Sequence, residues 1–222
     1  MLYRLFVLHI CLCLAQTAQA GPWLREKGAA FLAVSFSTTY FLDTSSQTYL
    51  EYGLTDKMTI IADIGIARLR NSPTGGYTTL SFRRSILPAD RTSKLAYELG
   101  VGTGWIGDEF LPHVRTGLSW GRGISMGKKS GWTTIESAVN WDLTNQLHVA
   151  KLDATLGINF TDVTAGMMQI YSAHTVYDSI ATIAPSIIIS PKNGKYRPQI
   201  GTESQIGNIQ NSVLKLGLWR DF

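Results

Sequence analysis

From residue 28 onward, apolar and polar positions alternate with a period of two. Residues 28–40 set Leu32, Val34, Phe36 and Tyr40 against Ala33, Ser35, Ser37 and Thr39. Residues 58–68 set Ile60, Ala62, Ile64 and Ile66 against Thr59, Asp63 and Gly65. Residues 94–105 set Leu95, Tyr97, Leu99, Val101 and Trp105 against Lys94, Glu98, Gly100, Gly102 and Gly104, and residues 112–124 repeat the scheme. Successive side chains of a strand point to opposite faces, so this period predicts β-strands. No segment carries a 3.6-residue period. The rhythm predicts about twelve strands, at 28–40, 47–54, 58–69, 77–86, 94–104, 112–124, 131–141, 149–160, 164–173, 180–190, 196–206 and 212–222. Most have about 10 residues, the length a tilted strand needs to cross a bilayer. Turn-forming clusters at 55–57, 71–76, 88–90, 107–108, 127–131, 161–162 and 191–194 separate them.

The first twenty residues follow a different pattern. Arg4 precedes an apolar run from Leu5 to Ala15, and Ala18 and Ala20 form an A-x-A site. This is the pattern of a secretory signal peptide cleaved after Ala20, with one domain spanning 21–222. The apolar run is too short for a membrane helix, which needs about 20 residues. Both cysteines, Cys11 and Cys13, fall in the expected leader, so the mature chain has none. An exported chain without disulfides must be held by a large core or by a closed barrel. Loss of Arg4 lowers the formal charge from +4 to +3, and no Lys/Arg run exceeds two residues. That pattern gives no support to nucleic-acid binding.

Alternation alone also suits a soluble β-sandwich, and other features decide against it. Only 16% of residues are charged, whereas a solvated sheet face is rich in Lys, Glu and Arg. Here the polar face carries Gly, Ser and Thr with isolated charges, which suits a narrow lumen. Trp105, Trp120, Trp132, Trp141 and Trp219, with Tyr40, Tyr52, Tyr77, Tyr171 and Tyr196, fall near strand ends. Belts of half-apolar, hydrogen-bonding rings belong at the two interfaces of a membrane barrel. The expectation is an all-β, closed antiparallel up-and-down transmembrane barrel, its non-polar face against outer-membrane lipid.

The last segment, 212–222, places Leu214, Leu216 and Leu218 on one face with the terminal Phe222. In this it resembles bacterial outer-membrane β-barrel proteins, whose final strand ends in an aromatic residue. The resemblance implies that Phe222 is an assembly signal read by the barrel-assembly machinery. It also implies the outer membrane of a Gram-negative bacterium, with both termini periplasmic. Arg220 departs from the pattern, since an apolar residue is usual two places before the end. An arginine close to the headgroups can snorkel. The whole chain is similar to the small porin-like and meta-pathway phenol-degradation barrels of such bacteria. That likeness rests on the strand rhythm, residues 216–222 and the 25–28 approach to the first strand, and it implies passive passage of small solutes.

The register sends Glu51, Asp63, Glu98, Glu136, Asp153 and Glu203 into the lumen, together with Arg83, Arg115, Lys151, Arg197 and Lys215. Asn140, Asn159 and Gln169 add neutral polar groups. A ring of one sign would argue for an ion-selective pore, and a balanced set does not. Either the charges pair and fill the lumen, or they line a small, weakly selective channel. The alternatives to a channel are a filled structural or adhesive barrel and a lipid-modifying enzyme. For an enzyme, no serine stands two places after His148, His174 reads as a loop residue, and His113 with Asp108 and Glu109 makes only a weak metal pattern. No cofactor motif is present.

Overall fold

A computed structural model describes residues 21–70, 72–145 and 147–222. The expected leader, 1–20, lies outside them. The described residues form twelve strands: β1 (Ala30–Thr39), β2 (Thr44–Thr55), β3 (Met58–Arg68), β4 (Gly75–Ser85), β5 (Ser93–Ile106), β6 (Glu109–Met126), β7 (Lys129–Asp142), β8 (Val149–Asn159), β9 (Thr164–His174), β10 (Ser179–Ile189), β11 (Tyr196–Gln205) and β12 (Asn208–Asp221). Each strand pairs antiparallel with its chain neighbour, and β1 closes on β12 through pairs from Phe31↔Asp221 to Thr39↔Val213. Closure removes both sheet edges, so every strand has two partners. The proximal end is defined here as the one where β1 starts and β12 finishes; the distal end is opposite.

All twelve expected strands are present, and the differences lie at their ends. β2 begins at Thr44, β6 at Glu109 and β12 at Asn208, each earlier than the pattern suggests. The hairpins at 107–108, 127–128 and 206–207 shrink to two residues, so pairing continues through positions that look like turn. Gly107, Gly127 and Gly207 stand at φ 58°, 63° and 88°. Tight hairpin turns need positive φ, which glycine adopts without a Cβ clash.

The barrel's polarity is opposite to that of a soluble protein. Glu51 and Thr59 inside are 0% exposed, while Leu99 and Val101 outside are 52% and 61% exposed. Val34, Ile64, Leu80, Leu118, Leu152 and Leu216 continue this outer band. A contiguous apolar surface of that extent suits lipid and not water.

The aromatic belt needs correcting. Tyr52, Trp141 and Tyr196 are exposed on the outside, and Trp105 covers Gly76 on the outer wall. Tyr77, Trp132, Tyr171 and Trp219 instead share the inward parity of their strands. Trp219 meets Phe31 edge-on, with centroids 6.1 Å apart, and both are buried. These rings fill the lumen, and parity, not nearness to a strand end, decides their side. Arg220 lies on the outer rim, stacked 4.1 Å over Phe222 and 5.0 Å over Tyr196, and it donates to the Tyr196 hydroxyl at 2.8 Å. Two aromatic partners hold the charge at the interface, which accommodates its departure from the terminal pattern.

Candidate functional site: the lumen

Among the described residues, the lumen is the face where the strands bring polar side chains together in quantity. Alternation puts the same parity inward along each strand, and the register sets those residues beside their neighbours. All eleven charged positions expected in the lumen face inward.

One wall, β2 to β7, carries a continuous string of alternating charge. Glu51 receives Arg25 Nε at 2.6 Å and Arg83 Nη1 at 2.6 Å. Arg83 reaches on to Glu98 at 3.3 Å, and Glu98 receives Arg115 Nε at 2.7 Å. Arg115 then donates to the Asn140 side-chain oxygen at 3.3 Å. Arg83 also donates to the Tyr49 hydroxyl, which itself donates to Glu51 at 2.7 Å. The Arg83 side chain is 2% exposed and that of Glu51 0%. Charges taken so far out of water are tolerable only when paired and hydrogen-bonded on several sides. Beside the string, Gln47 and Tyr77 both donate to Asp63 at 2.9 Å. A cavity of about 20 Å³ remains between Asp63, Thr79, Arg115, Asn140 and Lys151, room for about one water.

The other wall, β8 to β12, carries five of the eleven inward charges, Lys151, Asp153, Arg197, Glu203 and Lys215, and between them its amides and hydroxyls bond in separate pairs. Tyr171 donates to Gln169 at 2.6 Å, Gln169 to Thr155 at 3.2 Å, and Gln199 to Ser186 at 2.9 Å. Its ion pair is Lys215–Glu203 at 3.2 Å. Arg197 lies at the proximal mouth and pairs with Asp221. Three buried polar atoms here have no protein partner: Asp153 Oδ1, Thr182 Oγ1 and Gln199 Oε1. Such atoms mark where water or a solute group could sit.

The two ends differ again. At the distal end Ile106, Val149, Ala173 and Ile180 pack together inside, with Leu69, Leu111 and Leu147 against them. At the proximal end the segment 21–29 turns back into the barrel. Pro22 is fully buried. The Arg25 amide donates to Thr59 Oγ1 at 2.9 Å, and the Gly28 amide to the Gly53 carbonyl at 2.8 Å. Two inward glycines make room for it. A Cβ on Gly53 would lie 2.0 Å from the Glu26 carbonyl oxygen, and one on Gly121 would lie 2.7 Å from the Trp23 ring.

His113 lies within β6, four residues from its start, on the same inward parity as Arg115, and is buried with Nε2 3.1 Å from Thr79 Oγ1. Asp142 lies opposite it in the ladder, but its oxygens accept the amides of Thr144, Asn145 and Leu147. Asp108 and Glu109 join no metal cluster, and none occurs among the described residues. The alternation locates the inward charges, but it carries no sign of segment 21–29 or of the distal aliphatic cluster. The available signals were two inward glycines facing one wall position each and an Arg25 placed ahead of the first strand.

No protein-family model matches the chain, and no curated protein does. Among solved structures it is similar to a KdgM porin, with TM-score 0.64 and 6% identity over 86% of this chain and 99% of that one. It is also similar to an outer membrane channel from Pseudomonas putida F1, with TM-score 0.55 and 11% identity over 93% and 100%. At such identities the likeness is one of fold. The chain shares the closed transmembrane β-barrel architecture of outer-membrane, porin-like proteins.

Proposed function

We propose that this protein is a narrow passive channel for small solutes in the outer membrane of a Gram-negative bacterium. In this reading the described conformation is closed, both termini are periplasmic, and Phe222 serves assembly. The observation that carries it is the lumen: a polar column of balanced charge, ending in an aliphatic constriction distally and in the chain's own segment proximally. Aliphatic constrictions gate by excluding water, and a paired charge column passes small solutes with weak ion selectivity. The eleven inward charges then set size and charge preference.

A filled, non-conducting barrel is the second reading, favoured by the near-complete burial of Arg83 between two carboxylates. We take the barrel as non-catalytic, because Asp142 is occupied with its own loop and does not orient His113.

Planar-bilayer recording on the refolded mature protein separates the two. The channel reading expects discrete steps, with anion preference rising in Glu98→Gln and cation preference rising in Arg115→Gln. A folded, heat-modifiable barrel that never conducts, alone or in either variant, would leave the filled-barrel reading standing.

A further inference from the structure

Glu136 and Asp153 lie directly opposite each other on β7 and β8, both facing the lumen. Side chains so paired have Cβ atoms about 5 Å apart, and like charges there destabilise a sheet. No hydrogen bond or ion pair from a described residue reaches the Glu136 carboxylate, and Asp153 Oδ1 is buried without a partner. The nearby guanidinium groups are committed elsewhere: Arg83 to Glu51, Glu98 and Tyr49, and Arg115 to Glu98 and Asn140. Lys151, two residues before Asp153 on β8, is the inward cation beside the pair, and neither guanidinium is hydrogen-bonded to Glu136.

The start of segment 21–29 lies beside it. Gly21 is buried against Thr134, with a Cβ placed on it falling 3.1 Å from Thr134 Cγ2. Thr134 precedes Glu136 by one inward position on β7, a spacing of about 7 Å along a strand. The adjoining Pro22 is fully buried, and Gly121, which pairs with Thr134, has no side chain to obstruct Pro22 and Trp23. The sequence expects cleavage after Ala20, which makes Gly21 the first residue and gives it an α-ammonium group.

We propose that Glu136, with Asp153 behind it, binds the α-ammonium group of the mature chain and so latches segment 21–29 inside the lumen. The amine supplies a cation on the Glu136 side of the pair, as Lys151 stands on the Asp153 side. Signal-peptide removal then completes the lumen electrostatically, because only the processed chain has a charge at that point. The latch rests on the channel reading for its consequence, closure of the proximal end, but not for its chemistry.

The test uses mature protein purified from outer membranes. Mass spectrometry reads the first residue, and then the rate at which an N-hydroxysuccinimide ester acylates the α-amine. In the folded wild type the amine should react about tenfold more slowly than in urea, since burial and pairing withhold the neutral nucleophile. Glu136→Gln should restore most of the urea rate while the barrel stays heat-modifiable. Gly121→Leu, which keeps Glu136 but occupies the space of Pro22 and Trp23, should also restore it. Conductance should rise several-fold in both variants and in a chain lacking 21–27.

A mature chain that starts elsewhere, an amine that reacts at the urea rate, or protection that survives Glu136→Gln overturns the latch. Protection that depends on Glu136 in a barrel that stays silent even without 21–27 upholds the latch and overturns the channel.

Discussion

The two walls of the lumen are built on one backbone plan and filled by different chemistry. Between β2 and β7, alternating Glu and Arg share hydrogen bonds, so Glu51, Arg83 and Glu98 are each held by two opposite charges. Between β8 and β11, amides and hydroxyls pair locally; both walls leave some buried polar atoms open, Arg83 Nε and Gln47 Oε1 on the first, Thr182 Oγ1 and Gln199 Oε1 on the second. The charged wall is cooperative, because removing one member strands its neighbours. The second wall is divisible, because each hydrogen-bonded pair stands nearly alone.

The largest effect should come from Arg83→Met. It leaves Glu51 and Glu98 with one arginine each and should cost about 3–5 kcal/mol, the range for breaking a buried ion pair. Urea-dependent folding into lipid vesicles measures this, and adding Glu51→Gln to Arg83→Met should recover part of the loss. Wild-type stability in Arg83→Met would mean that the string is not cooperative. Leu99→Arg, on the outer side of the same wall, should cost about 2–4 kcal/mol near the bilayer midplane. The smallest effect belongs to the locally paired amides and hydroxyls of the second wall. Gln169→Leu strands the Tyr171 and Thr155 hydroxyls and should cost about 1–2 kcal/mol. A loss as large as that of Arg83→Met would erase the contrast between the walls.

How far these features could be read in advance depends on their range. Leu99 faces lipid and Glu98 the lumen because neighbouring side chains on a strand must diverge, a local rule that needs no partner. The pairing of Glu98 with both Arg83 and Arg115 depends on the register of three strands, and alternation states parity, not register. Trp219 shows the same limit. Its nearness to a strand end suggested an interface ring, yet its parity, also present in the sequence, put it inside against Phe31.

The sequence by itself determined a closed barrel of about a dozen strands, its apolar outer band and the set of inward charges, because a period of two is written into successive residues and a membrane tolerates only one use of it. The tertiary structure decided which charges meet, which wall links them in a continuous string, and that segment 21–29 returns into the lumen between Gly53 and Gly121. Those are contacts between residues far apart in the chain. Barrel closure fixes them, since only then do β2 and β4, or β7 and the residues ahead of β1, share one enclosed space.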